Sequence, residues 1–401
     1  MSYYQLPRIY QTINPSNIKL QFTSTNNNKA FINKSLALYL NKVKQEIQYY
    51  IDEWDDIKKL TNPYEYIHTN MPHTKNAISQ IKPISRSFFK MIELCNIFRI
   101  FNNFSCNSIK SFHLAEGPGG FIEALAHLRK NTNDMYYGMT LIDQDNKKVP
   151  GWKKAEIFLH SHQNVHIEKG TDGTGNLYAP ENLEKCMQLY QNSMDIITAD
   201  GGFDFSIAFD KQEKMAFRLI FSQVMFAVTM QKYKGHFILK VFDIFLQPTF
   251  ELIYLLSCFY ERVYIIKPNT SRAANSEKYI VCKYFKWDDT TEISKKLLAV
   301  SQVLNKLDWK TYQIKSIINI PIQYYYINQI IEYNAIFGQQ QIENIIKTMT
   351  VIERNNYHRE YIVQGKNSNI QKCIQWCIKN NIPYNKNICP RNIFLGNTMN
   401  K

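Results

Sequence analysis

Apolar residues Leu36, Leu40, Val43, Ile47, Tyr50, Ile51 and Trp54 recur at steps of three and four, which predicts a helix over 35–60. Asn62-Pro63 breaks it. A second apolar face, Phe88, Phe89, Ile92, Cys95 and Phe98, predicts a helix over 85–101. Residues 1–35 are polar, lack a sustained period and read as an arm or a loosely packed cap. Then the period changes. β-prone runs at Lys110–Ala115, Met135–Leu141, Val165–Glu168, Asp195–Ala199, His236–Val241, Arg262–Lys267 and Lys278–Phe285 alternate with helical stretches near 120–130, 181–191, 211–231 and 249–258. Such alternation implies a parallel sheet with helices on both faces. The last two strands are about ten residues apart, too few for a parallel crossover, so they form an antiparallel hairpin. Beyond Trp287 the pattern is helical, at Ile293–Leu307, Tyr324–Phe337, Gln341–Ile352 and Ile370–Asn380. The expected fold is therefore α/β: a Rossmann-like sheet of seven strands with a C-terminal antiparallel hairpin, plus N- and C-terminal helical extensions. The expected division is 1–80 (arm and helical extension), 81–287 (core) and 288–401 (helical extension packed on the core).

Composition narrows the partners. The 48 Lys+Arg residues outnumber the 34 Asp+Glu by a net +14, which favours a polyanion, nucleic acid before an anionic membrane surface. No apolar run of 18 residues exists: Phe250–Tyr260 is too short to span a bilayer and contains Glu251, so no membrane is expected. The first thirty residues lack the pattern of a signal peptide, and the 8 cysteines are scattered as reduced thiols would be, so an intracellular protein is expected. His160-x-His162-x₃-His166 and Cys373-x₃-Cys377 with Cys389 do not have the spacing of a four-ligand site, and no metal is expected. Abundant Asn, Ile, Lys and Tyr read as the codon bias of an AT-rich genome, which suits a large cytoplasmic DNA virus (host cytoplasm or virion) or a protist (nucleus or cytoplasm).

Five segments carry candidate chemistry. Ala115-Glu116-Gly117-Pro118-Gly119-Gly120-Phe121 follows a strand and opens a helix, where glycines admit a ligand to the backbone and the helix presents free N–H groups. It is neither a G-x-G-x-x-G turn nor a P-loop. Asp200-Gly201-Gly202 ends an apolar strand on the same edge of the sheet, beyond which ligands of open α/β sheets bind. Lys240 lies near the carboxyl end of the apolar strand Gly235-His-Phe-Ile-Leu-Lys240. Glu277 ends the polar loop Ser271-Arg-Ala-Ala-Asn-Ser-Glu277, and Lys90 follows Ser85-Arg86-Ser87 on a helix. Each alone has an ordinary reading: a tight turn, a strand-end acid, a snorkelling lysine, a loop acid, a surface lysine.

Taken together, Lys90, Asp200, Lys240 and Glu277 resemble, in order and setting, the Lys-Asp-Lys-Glu tetrad of the FtsJ-like (RrmJ-type) 2′-O-ribose methyltransferases. The resemblance spans roughly 60–285, is closest to the cap-specific mRNA enzymes that make cap 1, and also rests on Asn62-Pro63-Tyr64-Glu65, Gly138-Met-Thr-Leu141 and Asn275-Ser-Glu-Lys-Tyr279. It implies a methyltransferase sheet and S-adenosylmethionine as the cofactor, with the 5′ end of capped mRNA as the partner, alongside other capping or transcription proteins. It implies that Lys240 is the general base, a role that requires a lysine pulled towards neutrality by burial or a neighbouring ammonium, and that Lys90 stabilises the developing alkoxide. Residues 115–121 would hold the methionine end of the cofactor, Asp172 or Asn176 would read the adenine edge, and Asp143 would bind the ribose hydroxyls. The family acid for adenine falls on Asn176, a departure from the pattern. Asp210 and Glu213 would read the cap guanine, whose N1–H and amine are donors. The competing readings are an rRNA or tRNA 2′-O-methyltransferase and a catalytically silent RNA-binding subunit.

Overall fold

The computed structural model describes residues 3–25, 29–71, 74–104, 107–143, 145–146, 149–202, 211–354 and 359–386. Strands β1 (Tyr3–Gln5) and β2 (Ile18–Ser24) precede helices α1 (Lys34–Glu46) and α2 (Ile51–Thr61). Helix α3 (Ser87–Phe98) leads into β3 (Lys110–Leu114), α4 (Gly120–Arg129), β4 (Met135–Met139), α5 (Glu156–Ser161), β5 (Val165–Ile167), α6 (Pro180–Tyr190) and β6 (Met194–Ala199). Next come α7 (Gln212–Met230), β7 (Gln231–Val241), α8 (Gln247–Phe259), β8 (Tyr260–Ile266) and β9 (Lys278–Phe285). The chain continues through α9 (Thr291–Lys306), β10 (Tyr312–Ile318), α10 (Tyr324–Glu353) and α11 (Arg359–Lys379).

The central sheet has the order β1-β8-β9-β7-β6-β3-β4-β5. Strands β5, β4, β3, β6 and β7 are parallel, and β9 runs antiparallel between β7 and β8. The expected hairpin is therefore present. The expected strand count is corrected from seven to eight. Tyr3–Gln5 pairs antiparallel with Tyr264–Ile266 of β8 and satisfies an edge that would otherwise expose its backbone groups. Residues 1–35 are likewise not a loose arm throughout, because β2 pairs with β10 in a second, two-stranded sheet. The alternation Ile18, Leu20, Phe22 is the period-two signal of that strand.

Side chains alternate across the sheet, so successive residues feed two cores. Ile197, Phe237 and Leu239 join the residues of α7, α8 and α9, whereas Ile196 and Ile238 join those of α3, α4 and α11. Lys240 has the parity of Ile238 and so belongs to the face that α3 covers. A third cluster joins the two extensions: Leu40 and Ile47 pack with Trp54, Ile342, Ile345 and Phe245. Two helix boundaries differ from expectation. A 3-10 turn over Ile47–Tyr50 divides the first helix in two. The two helices expected over 324–352 are one, because Gly338 is a contact and not a break: a Cβ there would lie 2.9 Å from Leu36.

Candidate active site at the carboxyl ends of the strands

Three loops meet where β3, β4 and β5 end. Thr140, just past β4, is approached so closely that a Cβ on Gly117 would lie 2.9 Å from its Oγ1, and one on Gly175 would lie 2.0 Å from its carbonyl oxygen. Only glycine fits at either position. Glu116 turns back into the protein, where its Oε1 accepts from the backbone N–H of Phe121 (2.6 Å) and Ile122 (3.1 Å) at the start of α4. Burial pushes this carboxyl up to about 8, against those two bonds. His113 is a structural pin: it bonds Thr198 Oγ1 at 2.7 Å and Ser111 Oγ at 2.9 Å, and burial pushes it down to about 3.

The loops after β4 and β5 are stitched together by Ile142 N–H donating to Thr174 O at 2.7 Å. This brings Asp143 near the 172–176 turn. Asp143 Oδ1 accepts from Asp145 N–H (3.1 Å) and Asn146 N–H (3.2 Å), and exposed Asp172 accepts from Thr174 N–H (3.0 Å) and Asn182 Nδ2 (3.2 Å). Asn176 Oδ1 accepts from Tyr178 N–H at 2.9 Å. All three side chains thus shape the turns that carry them.

Lys90, Asp200, Lys240 and Glu277 come from α3, the end of β6, β7 and the entry to β9, and converge in two bonded pairs. Lys90 Nζ donates to Glu277 at 2.8 Å, with both side chains buried. Burial lowers the Lys90 pKa, and the Glu277 carboxylate opposes that shift. Burial would raise the Glu277 carboxyl, but the positive charges of Lys90 and Lys240 hold it below the usual carboxylate range. Lys240 Nζ donates to the Asp200 backbone carbonyl at 2.6 Å and lies 3.2 Å from Asp200 Oδ1. Tyr279, opposite Lys240 in the β7–β9 register, donates its hydroxyl to the same Oδ1 at 2.7 Å and so joins the pairs. Its phenol is raised well above its ordinary value, first by burial and then by Asp200.

Several residues of this neighbourhood carry no strong sequence signal. Ser271 donates to Glu277 Oε1 at 2.7 Å, and Lys267 donates to the Glu277 carbonyl at 3.0 Å. Burial and the Lys278 charge push Lys267 down to about 7, against Glu277. One helical turn before Lys90, Arg86 faces the charges of Glu277 and Glu65. Arg272 grips Glu65 with two bonds, 2.7 and 3.0 Å, and so ties the loop before β9 to the Asn-Pro-Tyr-Glu segment. Both partners lie in motifs visible in the sequence, but 207 residues apart.

Asp210 lies outside the described residues. Glu213 does not face a ligand: it is buried, and its carboxylate accepts from the backbone N–H groups of Phe245 (3.0 Å) and Leu246 (2.8 Å) at the start of α8. The expectation that it reads a cap guanine is corrected, since both oxygens serve the fold. Cys373 and Cys377 lie buried on one face of α11, and Cys389 lies outside the described residues. Among the described residues no group of three His, Cys, Asp or Glu side chains is placed to hold a metal ion, and no helix is long and apolar enough to cross a membrane.

The profile of the FtsJ-like methyltransferases matches residues 83–285. Cap-specific mRNA (nucleoside-2′-O-)-methyltransferase 2 of Drosophila melanogaster is 29% identical over 278 residues, which are 64% of this chain and 37% of that protein. Cap-specific mRNA (nucleoside-2′-O-)-methyltransferase 1 of Mus musculus and of Homo sapiens are each 36% identical over 198 residues, 48% of this chain and 23% of theirs. The chain thus spans well under half the length of these relatives.

Proposed function

The chain belongs to the FtsJ-like methyltransferase family, and from that premise we propose that it methylates the ribose 2′-hydroxyl of RNA, at the first transcribed nucleotide of capped mRNA. S-adenosylmethionine, when bound, supplies an electrophilic methyl group on a sulfonium. The loops around Thr140 fit such a ligand: glycines let three loops close on Thr140, where a Cβ on Gly117 or Gly175 would strike it, and Asp143, Asp172 and Asp200 on these loops suit a cation. Ala115–Phe121 would hold its methionine end, Asp143 the ribose hydroxyls, and Asp172 or Asn176 the adenine edge.

The observation that carries the reading is the pairing of Lys240 with Asp200 beside that of Lys90 with Glu277, at one end of the sheet. A ribose hydroxyl is a poor acid, so a base must sit within hydrogen-bond reach of it. Lys240 takes that role. The Asp200 carbonyl and carboxylate hold its amine from one side, leaving its remaining valences for the hydroxyl. Tyr279 fixes the Asp200 carboxylate, so the amine is oriented by a group that is itself anchored. Lys90 supplies positive charge from a dry site, where it is worth most to a developing alkoxide. Ser271 and Lys267 keep Glu277, and hence Lys90, in place. The cap specificity rests on the relatives' names, on the net +14 and on Asp210 as the remaining guanine reader, and capping or transcription proteins are its expected partners.

The test is transfer of labelled methyl groups to short capped RNA, the same RNA uncapped, and structured rRNA or tRNA fragments. Capped RNA is the expected acceptor. Lys240→Ala should lower turnover by about a hundredfold or more while cofactor binding persists. Turnover within about tenfold of the parent would remove Lys240 as the base. Preference for uncapped structured RNA would reassign the substrate, and binding without transfer would leave an RNA-binding subunit.

A further inference from the structure

Away from the tetrad, a cavity of about 610 Å³ opens between the first turns of α7, the start of α8 and the β2–β10 sheet. Its charge is one-sided: Lys29, Lys34, Lys214, Arg218 and Lys315 line it, and among the described residues no Asp or Glu does. Its rings are unusual too. Phe31 and Tyr312 are among the large apolar side chains that stay exposed, and both line this cavity.

Arg218 is its central feature. The guanidinium lies 4.0 Å from the ring centre of Tyr178 and 4.6 Å from that of Trp309, so it is fixed by two aromatic contacts. Yet it has no ion pair or hydrogen bond among the described residues, although it is partly buried. A guanidinium carries five N–H donors in a planar fork that matches an anionic oxygen pair. Lys214 is steadied by donating to the Thr25 carbonyl, which brings a second cation to the same wall. This wall is also joined to the reacting strands: α7 follows the Asp200 strand, α8 follows the Lys240 strand, and buried Glu213 bonds the two helix starts together.

We propose that this cavity is a second RNA contact, which takes a nucleotide downstream of the methylated one, its phosphate on Arg218 and the lysines and its base against Phe31 or Tyr312. The inference rests on RNA being the substrate. A single strand fits the chemistry because phosphates need cations while unpaired bases need aromatic faces. An acidic protein segment would use the cations and leave the exposed rings without purpose. The volume suits one or two nucleotides and not a duplex.

The test uses the full chain, capped RNAs of two and about ten nucleotides, and 4-thiouridine at successive downstream positions. Crosslinks from the long RNA should map to residues 31, 309 or 312. The double variant Lys34→Glu/Lys315→Glu, confined to exposed lysines, should weaken anisotropy-measured binding of the ten-mer about tenfold. Its log–log salt dependence should become shallower by about 0.7 for each phosphate that is no longer held. The ratio of kcat/KM, long substrate over short, should fall by a similar factor. Arg218→Gln should act in the same direction, and the surface double variant keeps the test sound if Arg218→Gln fails to fold. Equal losses on both RNAs, unaltered ten-mer binding, or crosslinks confined elsewhere would each overturn the proposal, the second of these leaving the cations to an acidic protein. Binding is measured without methyl donor. If the parent protein methylates no RNA, the proposed reaction fails while this contact still stands or falls on binding and crosslinks.

Discussion

Buried carboxylates occur both in the crevice at the strand ends and in the layer that wraps it, and they are used differently. In the wrapping layer Glu65 accepts from Asn62, Thr69 and both arms of Arg272. Glu251 accepts from Ser316 and from the Ile317 and Ile318 backbone, which fastens α8 to β10. Glu213 is filled by the N–H groups of Phe245 and Leu246. In the crevice Glu277 is filled in the same way, by Lys90 and Ser271, whereas the partly buried Asp200 takes Tyr279 and Lys240 on one oxygen, and its Oδ2 has no partner among the described residues. The side chains of Lys240 and Asp200 also stay 11% and 13% exposed. A buried acid with every lone pair met by fixed donors is a fastener, and one with an oxygen in reserve can meet a ligand. Removing members of each kind should therefore separate stability from activity.

The largest loss of stability is expected from Glu65→Ala, which strands Arg272. Breaking a buried pair by removing one partner costs roughly 3–5 kcal/mol, read as a shift in the denaturation midpoint, and activity should fall only as far as the folded fraction does. Residual activity lost beyond that would place Glu65 in the reaction. Glu213→Ala should cost about 1–3 kcal/mol, because two backbone donors lose their acceptor. Glu213→Gln should recover most of this, since burial and the Asp243 charge push the carboxyl up to about 8 and an amide resembles its neutral form. Neither change should alter KM for capped RNA selectively. A selective rise would restore the cap-reading role.

The same contrast has a pH signature. Burial would raise the Glu65 carboxyl, but Arg272 and Asn62 bring it down to about 2. A depressed acid contributes stability that is present above its unfolded value near 4.5 and lost as pH falls towards 2. Glu116 and Glu213, both at about 8, act with the opposite sign: their contribution is complete below 4.5 and declines as pH rises through 8. Glu213→Gln should accordingly flatten the decline in stability between pH 5 and 8, and a parent profile already flat there would contradict the burial argument. The smallest expected effect is that of Lys240→Ala on stability, below about 1 kcal/mol, because its amine sits at the open end of the crevice. A larger loss would make Lys240 a fastener after all.

The parts of the molecule that can be read along the chain are those whose signals are local. An apolar strand that ends in Asp200-Gly-Gly, or one interrupted near its end by Lys240, announces itself within ten residues. The seven β-prone runs, short and bounded by helical patterns or turns, are legible for the same reason. β1 is not, because three residues carry no period and its partner lies beyond residue 260. Glu213 misleads because an acid in the first turn of a helix looks the same whether it faces solvent or caps another helix. Its donors belong to residues 245 and 246. Tyr279 and Arg272 stand in recognisable motifs, yet their partners, Asp200 and Glu65, can be assigned only once the chain has folded back.

The long-range pairings of β1 with β8 and of β2 with β10 bear on how the protein is made. Tyr3 meets Ile266, and Phe22 meets Ile314, so the early strands wait for partners 263 and 292 residues downstream. At ~5–20 residues per second, the ribosome holds them unpaired for roughly 15–60 seconds. During that interval the Asp200 and Lys240 strands can already pair, since only about forty residues separate them, and loop closure over such a span is far less costly than over the whole chain. The crevice can thus form before the wall of the basic cavity, which needs β10. Synthesis arrested between residues 286 and 311 should yield a protein with the Asp200–Lys240 strand pair protected from hydrogen exchange and β2 unprotected.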